Sequence, residues 1–311
     1  MDLTLIDGAQ ASALCFGCMQ FGGTADVTAS QAMFEACRAA GINFFDTAHT
    51  YTGGRSEEIL GQLAAQERES LMIATKAAYT GGSGRQNILH QFDESRGRLG
   101  FDSVDILYLH RWDAKTPLEE TFETLCELQV SGKIRHIGVS NFAAWQVMKA
   151  QAVASRLGTR IDVIQPMYSL IKRQAEVELF PMAVAEKIVV VPYSPLGSGL
   201  LTGKYIKGGA GRLSTDKRYA ARYGQSWMAE TAKALHDQAE KWQVDPATLA
   251  VAWAMHHKAV AAPIISARNA KQLTPSLKAM ELILSDAQYA TVEALSPRPA
   301  SATDRLEEAE A

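Results

Sequence analysis

The sequence is poor in the features that would assign it to a class at first sight. Its formal charge is only −3 over 311 residues, so it carries no electrostatic footprint for nucleic acid or an anionic membrane surface. No stretch approaches the ~20 consecutive apolar residues of a membrane helix. The N-terminus has no basic segment leading into an apolar block, the mark of a secretory signal. The expectation is a soluble cytoplasmic protein without nucleic-acid or membrane partners. Nothing in the composition fixes an oligomeric state.

Metal and redox chemistry find little support. The seven histidines show no ligand spacing, and the adjacent His256 and His257 cannot share a helical face, so no metal is expected. Of the four cysteines, Cys15 and Cys18 have the spacing of a redox pair. They lie in a strand-like run from Ala13 to Met19 rather than opening a helix, whose dipole would lower the thiol pKa. Buried, reduced thiols are expected instead. A G-x-G-x-x-G fingerprint is also missing: Gly17, Gly22 and Gly23 do not match its spacing, which argues against an open dinucleotide-binding sheet.

What the chain does have is 47% hydrophobic residues and a steady alternation of strand and helix signals. Residues 1–14 read as a short hairpin, with Asp7-Gly8 as a type I′ turn pair. Strands are expected at the run ending in Asp46, at Leu71–Thr75, Val104–Leu109, Ile134–Val139, Val163–Gln165, Ile188–Pro192 and Val260–Ile265. Helices are expected at Thr28–Ala40, from Ser56, at Arg85–Leu99, Pro117–Val130, Ala143–Arg156, Gln174–Lys187 and Pro246–His257. Most strands lack hydrophobic alternation, as strands buried on both faces do. Eight such units predict an α/β (β/α)8 TIM barrel, a single domain over residues 1–311. The stretch Lys204–Trp227, after the seventh strand, is longer than a typical connection. The tail from Pro297 is Pro/Ala/Glu-rich, and partial disorder is expected there.

Three strand ends carry four residues with chemistry to offer. Asp46 and Tyr51 follow one, Lys76 closes another, and His110 closes a third. In a barrel these ends share one mouth. A tyrosine with a reference pKa of about 10 is a poor acid, but a neighbouring ammonium stabilises its phenolate. Asp46 would keep Lys76 charged, Tyr51 would serve as general acid toward a carbonyl oxygen, and His110 would orient that carbonyl. Met19, Phe21 and Trp112 are further candidates for the pocket wall.

These motifs, together with Arg55-Ser56-Glu57, Gly138-Val139-Ser140-Asn141-Phe142, Gln165-Pro166, Tyr193-Ser194-Pro195-Leu196-Gly197 and Leu201-Thr202-Gly203-Lys204-Tyr205, resemble the aldo-keto reductase superfamily from about Leu14 to Leu295. The resemblance implies an N-terminal hairpin closing the barrel bottom and NADPH held extended across the mouth. Its implied contacts are Cys18, Met19 and Asp46 below, and Ser140, Asn141 and Gln165 at the carboxamide. Tyr193 would lie under the nicotinamide. The loop Ser194, Pro195, Leu196, Gly197, Ser198, Gly199 and Leu200, with Lys204, would hold the pyrophosphate, and Ser266, Arg268 and Gln272 the 2′-phosphate. It also implies that residues 204–227 form a flap over the cofactor. Pro275-Ser276 stands where Glu-Asn is common, and Thr52 replaces a frequent Gly. The implied activity is reduction of aldehydes or ketones. Two alternatives remain: a non-catalytic NADPH-binding subunit like the potassium-channel β subunits, which have Asn where this chain has His110, and a Schiff-base lyase using Lys76.

Overall fold

The glycine and proline punctuation of the sequence becomes an inner layer of short strands inside an outer layer of helices. The computed structural model describes residues 3–206, 208–303 and 305. The strands are β1 (Cys15–Gly17), β2 (Phe44–Asp46), β3 (Met72–Ala77), β4 (Val104–Leu109), β5 (Ile134–Ser140), β6 (Val163–Gln165), β7 (Val189–Val190) and β8 (Ile264–Ile265). All neighbours pair in parallel, in the order β7-β6-β5-β4-β3-β2-β1-β8. Parallel bridges Val190↔Val260 and Tyr193↔Ile264 join the two ends, so the sheet closes as a (β/α)8 barrel. The last two strands are shorter than their apolar runs. Pro192 and Pro263 have no N–H to give a ladder, and only their carbonyls accept, from Ile264 and Cys15.

The helices in chain order are α1 (Val27–Ala39), α2 (Arg55–Ala64), α3 (Arg85–Leu99), α4 (Leu118–Val130), α5 (Ala144–Arg156) and α6 (Leu179–Glu186). They continue with α7 (Arg212–Thr215), α8 (Lys217–Tyr223), α9 (Ser226–Lys241), α10 (Pro246–His256), α11 (Ala270–Leu277) and α12 (Asp286–Glu293). Most of the expected helices fall where their periodicity put them. The exception is Gln174–Lys187: a 3₁₀ turn occupies Gln174–Glu176 and α6 begins only at Leu179. Pro181 fixes that start, because a proline is tolerated in the first turn and not further in. The long stretch 204–227 is not an open loop, since α7 and α8 lie within it. Of the tail expected to be disordered, residues 304 and 306–311 lie outside the described residues.

Two apolar clusters divide the core. The outer one fills the space between strands and helices. The inner one stacks Cys15, Phe44, Met72, Ile106, Tyr108, Val163, Val189 and Ile264 inside the barrel, and Leu3 and Leu5 from the N-terminal hairpin close it from below. The hairpin forms as expected, with Thr4 bridged to Gln10, but its turn does not. Gly8 N–H donates to Leu5 O at 3.1 Å and Leu5 N–H to Ala9 O at 2.8 Å, and Gly8 alone takes a positive φ, 87°. That is a three-residue loop with a left-handed glycine rather than the I′ pair. Leu3 and Leu5, two apart on the strand before the turn, share the face that enters the barrel.

The bottom rim is tied by Asp105, whose side chain is fully buried and pairs with Arg68 at 2.9 Å and Arg135 at 2.8 Å. It also accepts from the Ile73 N–H, while Arg135 donates to the Thr4 carbonyl. Asp105→Ala leaves two guanidiniums and a buried N–H without their acceptor. It is expected to lower unfolding stability by about 3–5 kcal/mol, read as a fall in the urea midpoint, with the far end of the barrel unaltered.

Candidate active site

Side chains alternate inward and outward along a strand, and this parity builds the mouth. Asp46 lies two residues beyond inward Phe44, Lys76 two beyond Ala74, and His110 two beyond Tyr108. Gln165 follows Val163 in the same way, and Tyr193 follows Val191. The top layer of the barrel interior is therefore polar where the layers below are apolar. Gly138 makes room for it, because a Cβ there would run into the Tyr108 ring. Tyr51 arrives differently, on a 3₁₀ turn, Tyr51–Gly54, that follows β2. Thr52 in that turn takes φ 50°, a left-handed conformation that favours glycine. Its hydroxyl donates to Phe21 O at 2.8 Å and anchors it there.

The sequence-predicted Asp46, Tyr51, Lys76 and His110 do come together. The Lys76 Nζ donates to Asp46 Oδ1 and, at 2.8 Å, to the Thr47 carbonyl, while Gln165 Nε2 donates to Asp46 Oδ2 at 2.9 Å. The ammonium lies 5.0 Å from the centre of the Tyr51 ring, and the His110 ring stands edge-on to Tyr51 at 5.8 Å. Burial works against charge on both members of the pair. It pushes the Asp46 carboxyl up, opposed by Lys76 and Gln165. It pulls Lys76 down, yet Asp46 and Tyr51 outweigh it and hold the proton above the usual lysine range. With both Asp46 oxygens accepting from donors, the ion pair is the state this geometry supports.

Tyr51 departs from the expectation of a lowered pKa. Burial raises it and outweighs the lowering by Lys76, so the phenol keeps its proton. His110 is pulled down to about 3, first by burial and then by Lys76 and Arg111. Its imidazole is neutral, and its Nδ1 is buried with no partner. A neutral imidazole offers one donor and one acceptor, and a protonated phenol offers one donor. The mouth can therefore direct two neutral donors at one oxygen.

The residues implied for the cofactor follow the rim. Ser140 donates to the Gln165 carbonyl at 3.0 Å, and the Asn141 amide donates to His110 O at 2.9 Å. The Tyr193 hydroxyl donates to Asn141 Oδ1 at 2.7 Å. Asn141, Ser194 and Ser198 all have positive φ, at 59°, 66° and 56°, and such backbone clusters where ligands are clamped. Pro195, Leu196 and Leu200 carry the turn, whose Gly197 and Gly199 are left-handed as well. A Cβ on Gly199 would lie 2.9 Å from Lys204 Nζ, so the Lys204 ammonium reaches back over this backbone. Across the barrel, Ser266 donates to Gly17 O at 2.8 Å, and Gln272 Oε1 accepts from Arg268 N–H at 3.3 Å. The Ser266 hydroxyl proton and the Gln272 amide oxygen are thus engaged by backbone, and the exposed Arg268 stands just ahead of α11. Two expectations are corrected in part. Cys18 is fully buried in the outer core and has only backbone to offer at the mouth. Phe21 is likewise fully buried, packed at a tilt against Phe16 at 5.6 Å, and does not line the pocket; Met19 is half-buried.

Of the upper wall, sequence reasoning named Trp112 but missed Tyr79, Arg111 and Phe142. Tyr79 packs on His110 at 4.9 Å and carries Arg111 over its other side at 4.9 Å. Trp112 meets Phe142 at 5.2 Å and Trp145 at 5.7 Å. Helix α8 lies close enough for Tyr219 to act on the Tyr51 phenol and for Arg222 to act on Tyr193. Its Tyr223 is buried. The resemblance implied a flap in residues 204–227, and what the basic, Gly-containing stretch did not signal is that helix α8 would form within it.

Among the described residues no helix is long and apolar enough to cross a membrane, and no cluster of His, Cys, Asp or Glu could hold a metal ion. The model of the Aldo/keto reductase family matches residues 13–297. A "Probable voltage-gated potassium channel subunit beta" of Oryza sativa subsp. japonica is 34% identical over 296 residues, 89% of each chain. An "Uncharacterized oxidoreductase YrpG" of Bacillus subtilis is 32% identical over 316 residues, 95% of each. The "Norsolorinic acid reductase stcV" of Emericella nidulans is 30% identical over 320 residues, 95% of this chain and 81% of that one. With the closed barrel and the family match running through nearly all of it, the chain belongs to the aldo/keto reductase family.

Proposed function

We propose that this protein reduces aldehydes or ketones to alcohols with NADPH. The observation that carries the reading is the buried Lys76 ammonium, held by Asp46 and facing a protonated Tyr51, with neutral His110 beside them. When bound, the reduced nicotinamide supplies the hydride. Ser140, Asn141 and Gln165 would hold its carboxamide and Tyr193 its ring, and the turn Gly197–Thr202 with Lys204 would hold the pyrophosphate. Tyr51 and His110 donate to the substrate oxygen. As negative charge develops there, the Tyr51 proton moves to it, and Lys76 stabilises the phenolate left behind. Asp46 keeps Lys76 charged and fixed. The aromatic side chains of Tyr79, Trp112 and Phe142 around the mouth favour apolar or aromatic carbonyl compounds.

A second reading, an NADPH-binding regulatory subunit, is favoured by the relatives named potassium channel β subunits. The presence of His110 as a second donor supports the reductase. The lyase reading gains nothing from the geometry, since the Lys76 amine is committed to Asp46 and Thr47. A carbonyl panel followed by NADPH absorbance separates the first two, and absence of turnover with every substrate would favour the subunit. Tyr51→Phe is expected to lower kcat by at least a hundredfold while leaving NADPH affinity, measured by fluorescence titration, within about twofold. Retained wild-type turnover would remove Tyr51 as the acid.

The depressed His110 fixes the sign of a pH effect. Below pH 6.5 the unfolded chain binds a proton at this residue that the folded chain refuses until about pH 3. Stability contributed here is therefore present above pH 6.5 and falls as pH is lowered through that window, by up to about 1.36 kcal/mol per pH unit. His110→Gln should flatten this part of the urea-midpoint profile between pH 7 and 4.5.

Cofactor choice rests on Arg268, whose guanidinium can bind phosphate oxygens bidentately beside Ser266 and Gln272. Such charge-assisted bonds contribute about 1.5–3 kcal/mol. Arg268→Ala should lower the ratio of kcat/KM for NADPH over NADH by roughly ten- to hundredfold. An unchanged ratio would take Arg268 out of the site.

A further inference from the structure

Tyr51 sits on a short turn outside the barrel proper, so something must hold it to the strand that carries Lys76. The His49 peptide does this from both ends. Its N–H donates to the Lys76 carbonyl at 3.1 Å, and its own carbonyl accepts from Arg98 Nη1 at 3.0 Å. The His49 ring is held as well, by Glu94 at 2.6 Å. On the far side of Tyr51 the same side chain lies against Gly54, where a Cβ would come within 2.6 Å of Arg98 Nε. Gly54 has φ 95°, so no other residue fits there without strain. Arg98 thus grips the turn before and after Tyr51.

Arg98 is itself fixed from below. Its Nη1 donates to Glu57 Oε2 at 3.2 Å, and Glu57 Oε1 accepts from the Thr75 hydroxyl at 2.6 Å. Glu57 is fully buried, and Thr75 is the residue before Lys76. A closed path runs from Lys76 through His49, Arg98, Glu57 and Thr75 back to the same strand. We infer that Arg98, with Glu57, is a positioning residue that sets the Tyr51 hydroxyl against Lys76 without touching substrate or cofactor. The inference rests on Tyr51 being the acid. An arginine suits the task because its planar fork meets a carbonyl, a carboxylate and a glycine backbone at once, which an ammonium cannot.

The test compares Arg98→Met, which keeps the stem, with Arg98→Lys, which keeps the charge beside buried Glu57 and guards against loss of fold. Misalignment of a catalytic group by about 1 Å can cost roughly a hundredfold in rate. Arg98→Met should lower kcat about thirty- to hundredfold, and Arg98→Lys less, with KM and NADPH affinity within about twofold. In a Tyr51→Phe background Arg98→Met should cause no further loss, since nothing is left to align. A kcat unchanged by Arg98→Met, or an equal loss with and without Tyr51, overturns the inference. Two readouts need no turnover: amide exchange across residues 49–54, expected to quicken in Arg98→Met, and the Tyr51 phenol titration by ultraviolet difference against Tyr51→Phe. That phenol, raised by burial, should move down toward its ordinary value of about 10 as the turn loosens. If the wild-type protein reduces no carbonyl at all, the reductase reading fails, and these two readouts still decide the brace. Unchanged exchange and an unchanged titration would refute it.

Discussion

The alternation of side chains along eight short parallel strands is the constraint on which this molecule depends. A barrel of this size has no room for a pore. Its inward positions must be filled, and layers of Phe44, Met72, Ile106, Tyr108 and Val163 fill them above the plug of Leu3 and Leu5. The next inward step on each strand emerges at the mouth, where Asp46, Lys76, His110 and Gln165 replace apolar residues. A one-residue slip in any strand would send its polar residue into the outer core and an apolar one to the mouth. Packing and site geometry are therefore set by the same register.

Burying a lysine at the top of an apolar stack is costly unless its charge is answered. Here the answer is complete: a carboxylate, a backbone carbonyl and the face of an aromatic ring, with Gln165 satisfying the carboxylate's second oxygen. The same low-dielectric surroundings keep Tyr51 protonated and His110 neutral. The mouth thus presents neutral donors backed by one fixed positive charge. That suits an oxygen which is neutral at first and gains negative charge.

Around this rigid centre the rim is built from backbone in sparsely populated conformations. Thr52, Ala78, Asn141, Ser194 and Ser198 all have positive φ without being glycine, and each follows a strand at the mouth end of the barrel. Side-chain bonds secure two of them: Thr52 to Phe21 O and Asn141 to His110 O.

The fold class and the layer of Asp46, Lys76, His110 and Gln165 were legible in the residues, because apolar runs ending in a polar residue mark both a buried strand and its exit. Tyr51 was legible only beside Asp46, since a tyrosine in a turn looks like any other. The turn at Gly8 was misread because Asp-Gly permits a I′ pair without requiring it, and a longer loop with one left-handed glycine serves as well. The sign of the Tyr51 shift was out of reach, because burial and the Lys76 charge oppose each other and only the surrounding packing shows which prevails. Helix α8 over the mouth, the aromatic wall and the grip of Arg98 join residues far apart in the chain. By itself the sequence determined the period, the polarity and the order of the strands, which are local properties. The tertiary structure decided which side chains meet and how dry their surroundings are, because dielectric and distance exist only once the barrel has closed.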